Sequence, residues 1–345
     1  MKRISIFALL CCSITLLCSS CSRDDGKTLY LFNWTYYTPD SVIEAFEKEF
    51  DVRVKVDNFA SNEEMFAKML AGASSYDIIV PTQDYVSILI KLAMLQQIDK
   101  TRIPNLKYIS PAVEQKAHYD PNFDYSVPYF MGAAGVVVNT EKVPEYEKSW
   151  SIFGRKDLAG RMSMMDDMRE VMGDALAYTG KSVNSLNLQD LEKAKDIIIQ
   201  EWKPNLVKFD SEGFGKSFAA GDFWVVQGFP EVVFGEVPQS EWDTLDFFIP
   251  QEGGPMYIDS MCVPKQAKHY DLAMEFINFI LRPDIYAMFL DTFNFPSTIH
   301  TEAGKYMKET PMYTPEELEP CEIKEDLAEG LMVYDSLWQK IRFTK

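Results

Sequence analysis

Thr28-Leu29-Tyr30-Leu31-Phe32 runs without a break into Asn33-Trp34-Thr35-Tyr36-Tyr37, and Thr38-Pro39-Asp40 then leads to Val42, Phe46 and Phe50 at helical spacing. A strand, a polar turn and a Pro-started helix in that order open an α/β unit. In open α/β sheets, ligands bind beyond the carboxyl ends of the strands, which is where Trp34, Thr35 and Tyr37 fall. Aromatic faces in that place suit alkyl chains that carry cationic nitrogens. The same rings would serve equally as an apolar cap on the sheet.

Strand-like and helix-like segments keep alternating downstream. Residues 52–57 alternate with period two. Ser61-Asn62-Glu63-Glu64 is a capping box that opens a helix through Met65, Met69 and Leu70. Residues 76–81 read as a buried parallel strand and 86–94 as the next helix, so a parallel sheet with helices on both faces is expected. The rhythm changes at 125–132, where Gly132-Ala133-Ala134-Gly135 lets an extended segment cross to a second lobe. A second βα series follows, with a strand at 161–165 and helices at 170–178 and 188–202. Residues 253–260 are the expected return crossing, 272–281 an amphipathic helix and 323–341 a helical cover. The expected organisation is a first lobe of residues 21–133 and 258–302, and a second of 134–257 and 303–345.

The N-terminus predicts export. Lys2 and Arg3 precede an apolar run over residues 4–17, too short to span a bilayer comfortably, which ends in Leu17-Cys18-Ser19-Ser20-Cys21. This resembles a bacterial lipoprotein signal over residues 1–20 with Cys21 as the acylated residue; ordinary signal-peptide cleavage is the alternative. Of six cysteines, Cys11, Cys12 and Cys18 leave with the signal, and Cys262 and Cys321 remain beside Cys21. Cys262, in an apolar strand pattern, is expected as a buried thiol, and a pair with Cys321 stays open.

The chain carries 52 acidic against 34 basic side chains, a net charge of −18, and removal of Lys2 and Arg3 makes it more acidic still. That excess argues against nucleic acid or anionic lipid as partners and favours cations. Catalytic motifs are weak. His118, His269 and His300 are scattered, with no metal-binding spacing. Gly215-Lys216-Ser217 lacks the first glycine of a P-loop, since Asp210 stands there, and no G-x-S-x-G elbow occurs. No cofactor or metal is expected.

Carboxylates at strand ends are more informative. Asp166-Asp167-Met168-Arg169-Glu170 follows a strand and opens a helix. Asp167 or Asp166 would cap that helix, and Asp167 and Glu170 lie within one turn of each other. Asp259 points to the same side of an extended segment as Tyr257, and Asp84 to the same side as Thr82. Four such acids among Trp34, Tyr37, Tyr257 and Phe295 describe a cleft for a cationic chain.

Asn33-Trp34-Thr35-x-Tyr37, Glu63-x-Met65-x-Ala67-Lys68, Tyr76-Asp77-x-x-Val80-Pro81, Ile98-Asp99-Lys100, Tyr125-Ser126-x-Pro128-Tyr129, Asp166-Asp167-x-Arg169-Glu170, Asp259-Ser260 and Ile277-Asn278-Phe279-x-Leu281-Arg282-Pro283-Asp284 occur in register from Thr28 to Gln339. With these motifs the chain resembles the spermidine/putrescine-binding proteins of bacterial ABC importers. The resemblance implies an α/β, two-lobed periplasmic-binding-protein fold of type II, each lobe a mixed, mainly parallel sheet flanked by helices. It also implies a monomer that hands a polyamine to an inner-membrane permease and touches the membrane only through its lipid. By motif position, Trp34, Thr35 and Tyr37 fall on the first binding loop, Thr82 on a small hydroxyl and Ser211 on a serine. Asp167 and Glu170 fall on ammonium-binding acids, Asp259 on the central acid and Gln339 on a tail glutamine that reaches the pocket. Asp84 stands where an aromatic is common; Phe229, Tyr257 and Phe295 replace Trp, Trp and Tyr, and Tyr36 replaces an acid. Another organic cation or a cationic amino acid is the alternative ligand, and a lipoprotein hydrolase using Asp167 and Glu170 the alternative class.

Overall fold

The structure is a computed structural model and describes residues 27–35, 37–72 and 75–344. Cys21, the export signal and Tyr36 lie outside the described residues. In chain order, β1 (Thr28–Trp34), α1 (Asp40–Phe50), β2 (Arg53–Phe59), α2 (Asn62–Leu70), β3 (Ile78–Ile79) and α3 (Gln83–Lys91) make the first alternating run. Next come α4 (Pro111–Lys116), β4 (Ser126–Ala133), β5 (Gly135–Asn139), β6 (Met162–Met164), α5 (Met168–Tyr178), α6 (Leu188–Ile197) and β7 (Leu206–Phe209). They are followed by α7 (Phe214–Ala219), β8 (Val225–Gly228), α8 (Pro230–Phe234), β9 (Leu245–Phe248) and β10 (Pro255–Cys262). The chain closes with α9 (Tyr270–Ile280), α10 (Pro283–Phe293), β11 (Glu322–Ile323) and α11 (Leu331–Phe343).

Two sheets define two lobes. The first has the order β11-β10-β3-β1-β2 with β4 also paired to β10; β1 is parallel to β2 and β3, while β10 is antiparallel to β4 and β3. The second has the order β7-β6-β8-β5-β9, with β6 parallel to its neighbours and β5 antiparallel to its own. β4 and β10 are buried along their whole length, as strands covered on both faces must be. α1 covers the first sheet because Val42 and Phe46 share one face; the Phe46 ring meets Phe276 at 5.0 Å and Phe279 at 5.2 Å, both from α9. Among the described residues no helix is long and apolar enough to cross a membrane. Cys262 and Cys321 are both free and buried.

Several boundaries differ from the sequence reading. α3 begins at Gln83 rather than at 86, because Thr82 takes the extended N-cap conformation and the first turn is polar, outside the apolar period that signalled the helix. α6 stops at Ile197 and the helix continues as a π turn, Ile198–Trp202, which buries Trp202 completely. The expected helical cover over 323–341 is corrected: β11 pairs in parallel with Pro255 and Met256 of β10, an open segment follows, and α11 begins only at Leu331. A two-residue strand bordered by charges carries no helical or strand periodicity to read. The expected lobe boundary at 257/258 falls inside β10, and β11, expected in the second lobe, pairs in the first sheet.

Candidate functional site between the lobes

β10 organises the site by holding three segments along one edge. At its carboxyl end Cys262 pairs with Ile79, and the Ser260 N–H donates to the Pro81 carbonyl at 3.0 Å, with Thr82 bridged to Asp259. At its amino end the Glu322 N–H donates to the Gly254 carbonyl at 3.0 Å and the Lys324 N–H to the Met256 carbonyl at 3.1 Å. The gap is filled by the buried side chain of Gln83. Its Oε1 accepts from the Ile258 N–H at 2.8 Å and its Nε2 donates to the Lys324 carbonyl at 2.7 Å. Residues 322–326 are thus a third link between the lobes. Asn184 of the second lobe donates to the Ile323 carbonyl at 2.8 Å and accepts from the Glu325 N–H at 2.9 Å, while Lys91 of the first pairs with Asp326 at 2.7 Å.

Carboxylates converge here from both sides. Asp167 caps α5, its Oδ1 accepting from the N–H groups of Arg169 at 2.8 Å and Glu170 at 3.0 Å. One turn on, Glu170 and then Asp174 lie on the inward face of the helix, both buried. α5 approaches β10 closely because a Cβ at Gly173 would stand 2.3 Å from Pro255. Asp84, in the first turn of α3, accepts from the Thr82 hydroxyl, which itself accepts from Asn62 Nδ2 at 2.8 Å. Glu231 enters from the first turn of α8, two residues after Phe229. Asp259 is 4% exposed.

Much of this polar surface has no partner among the described residues. There, Asp259 Oδ1, Glu231 Oε2, Glu170 Oε2, both Asp174 oxygens and the Tyr37 hydroxyl are buried without a hydrogen bond. Burial accordingly pushes the Asp259 carboxyl up to about 8, with Glu231 and Asp84 adding to the shift and Tyr37 and Lys324 opposing it. Burial likewise lifts Glu231 to about 7, and it raises Asp174 well above the carboxylate range, helped by Glu170 and Asp167. Native interiors satisfy nearly all buried polar atoms, so such a concentration marks a place built for something else. Among the described residues, no group of three or more His, Cys, Asp or Glu is set to hold a metal ion.

Lys324 is the cation amid these acids. Its ammonium pairs with Glu170 Oε1, the two side chains being 12% and 1% exposed. Burial alone would lower its pKa, but Glu170, Asp167 and Asp84 outweigh burial and hold the proton on. On Glu170 burial wins over the lysine, and the net shift is upward.

The aromatic residues divide. Tyr257 is buried with its ring edge-on to Phe229 at 5.6 Å, and it fits because its cross-strand partner is Gly132, where a Cβ would lie 2.8 Å from the Tyr257 hydroxyl. Tyr37 packs against Tyr129 at 5.2 Å while its hydroxyl faces Asp259. Trp34 is partly buried and fixed by its indole N–H, which donates to the Val80 carbonyl at 2.9 Å. Phe295 is 1% exposed and stacks on Phe130 at 4.4 Å, so it supports Tyr37 from the core. Thr35 and Ser211 are exposed on loops. Gln339 is exposed on α11 and donates to Asp335 at 3.3 Å. The sequence reading missed Asp174, Glu231, Gln83 and Lys324. Asp174 lies four residues beyond Glu170 on the same helix face, a spacing that would have found it.

Two α/β lobes joined by extended crossings, with a buried cluster of acids and rings between them, have the architecture of a solute-binding protein. The chain belongs to the bacterial extracellular solute-binding protein family, whose model matches residues 41–314. It is 31% identical over 350 residues to the spermidine/putrescine-binding periplasmic protein of Escherichia coli K12, covering 99% of each chain. It is 32% identical over 282 residues to the putrescine/cadaverine-binding protein of Pseudomonas aeruginosa, covering 77% of this chain and 78% of that one. The crystal structure of the TpPotD lipoprotein of Treponema pallidum superposes with a TM-score of 0.89 at 53% identity, over 92% of this chain and all of the other. A putative spermidine/putrescine transporter protein from Listeria monocytogenes matches with a TM-score of 0.79 at 28% identity. The fold is the type II periplasmic-binding-protein fold.

Proposed function

We propose that the chain is the polyamine-binding component of an ABC importer, acting in the periplasm as a monomer anchored through lipid on Cys21. The observation that carries this reading is the set of buried, unpartnered acid oxygens on Asp259, Glu231 and Glu170, set beside Tyr37, Tyr257 and Phe229. A polyamine is an alkyl chain with separated ammonium groups. Each ammonium needs acceptors, because burying a charge unpaired is very costly. Rings between the acids cover methylenes and attract the nitrogens by about 0.5–2 kcal/mol per contact. In this reading β1–β4 and β10 belong to one jaw, β5–β9 and α11 to the other, and closure strengthens each charge interaction by expelling water. The protein performs no chemistry on its ligand and delivers it to a permease.

A cationic amino acid would need a free donor for its carboxylate. Arg169 has committed both terminal nitrogens, donating to Asn184 at 2.8 Å and to the Glu325 carbonyl at 3.0 Å, and only its buried Nε has no partner among the described residues, too little for a bidentate carboxylate clamp. Calorimetry with putrescine, spermidine and spermine tests the proposal, with about one ligand per chain expected for one interlobe cleft. No heat and no thermal shift with any of the three would overturn it.

A further inference from the structure

Lys324 lies where a ligand is expected. Its backbone is fixed to the first sheet, through the Met256 carbonyl and the Gln83 side chain, while its side chain crosses to Glu170 on the second lobe. Its stem is almost wholly buried, and its head meets an acid whose other oxygen has no partner. Asp259 and Glu231, by contrast, each keep a buried oxygen without a partner among the described residues, and the Lys324 charge acts on Asp259 only through space. The acids of the cleft therefore fall into two unequal sets: one already neutralised by a tethered ammonium, and one left for a ligand.

We propose that Lys324 is a specificity-determining residue: its ammonium stands in for one nitrogen of a polyamine at Glu170, and so restricts the cleft to diamines over triamines. This rests on the polyamine reading above. A diamine places one ammonium at Asp259 and Glu231 and extends its methylenes along Tyr257 and Phe229. A longer triamine carries a third charge that must settle near Glu170. There it meets the Lys324 head at contact distance and either suffers like-charge repulsion or displaces a buried side chain from its partner. Replacing Lys324 by an uncharged residue gives Glu170 back to the ligand.

The test is calorimetry with putrescine and spermidine on the wild-type protein, Lys324→Gln and Lys324→Met, with folding checked by thermal unfolding. Wild type is expected to bind putrescine at least about tenfold more tightly than spermidine, and both variants are expected to shift that ratio towards spermidine by at least about tenfold. Wild type that binds spermidine as tightly as putrescine overturns the role of Lys324 without recourse to a variant. So does a folded variant with an unchanged ratio, and in both cases the polyamine reading stands. Wild type that binds neither ligand overturns that reading and this inference together.

Discussion

Asp259 holds its carboxylate where water scarcely reaches, against the Tyr37 hydroxyl and with one oxygen unpartnered. Asp259→Asn should weaken polyamine binding by about 2–5 kcal/mol, the cost of truncating one partner of a buried charge pair, while unfolding of the unliganded protein shows no loss of stability. Wild-type affinity in that variant would remove Asp259 from the site. Asp259 at about 8 and Glu231 at about 7 both sit above the values of an unfolded chain. Their protonated forms favour the fold, so this contribution is full at acid pH and lost as pH rises through those two values. The unliganded protein should therefore melt at lower temperature at about pH 8.5 than at about pH 6, and the stabilisation by putrescine should grow over the same interval, since its amines stay charged there as a lysine does. Thermal scans across pH with and without ligand read both trends; a ligand-induced shift that shrinks with pH would refute the assignment. Asp259 was legible from its alternation with Tyr257 along a strand. Glu231 was not, because an acid in the first turn of a helix is ordinary until the fold buries it near enough to Tyr257 for its charge to act there.

The start of α5 combines two roles that a substitution pair separates. Asp167 caps the helix through its Oδ1 and also lends negative charge to the cluster around Lys324. Asp167→Asn keeps an acceptor at the cap and should leave stability nearly unchanged, whereas Asp167→Ala should cost about 1 kcal/mol in urea unfolding. Polyamine affinity should fall in both, and a fall confined to the alanine variant would make the residue a cap alone. At the third crossing, Gln83→Leu leaves the Ile258 N–H and the Lys324 carbonyl buried and unbonded, a loss of about 2–4 kcal/mol on the usual cost of orphaned groups. Equal stability of that variant would mean that the segment relaxes freely. Most elements were legible because their periods are long and clean: α1 and α9 each present one apolar face, and β10 lies between glycines and prolines that mark its start. The third crossing was not legible, because β11 has only two residues and its place is fixed by a glutamine 241 positions away in sequence.

At the scale of the whole molecule, three links join the lobes among the described residues, and the ion pair from Lys324 to Glu170 spans them. Polyamine should contract the protein further in solution scattering, and superimposable profiles with and without ligand would show a cleft already closed. The two-lobe plan was readable from the alternation of elements and from Gly132-Ala133-Ala134-Gly135. The internal cation was not, since it depends on how the jaws meet. Cys262 and Cys321 are both buried, and burial pushes the Cys321 thiol up to about 12 and the Cys262 thiol well above its ordinary value. Neither offers a thiolate to an alkylating reagent near neutral pH. In a form of the protein that starts after Cys21, a cysteine introduced at exposed Glu212 would take a maleimide dye alone, and a fluorescent reporter of polyamine capture follows without first removing the native thiols.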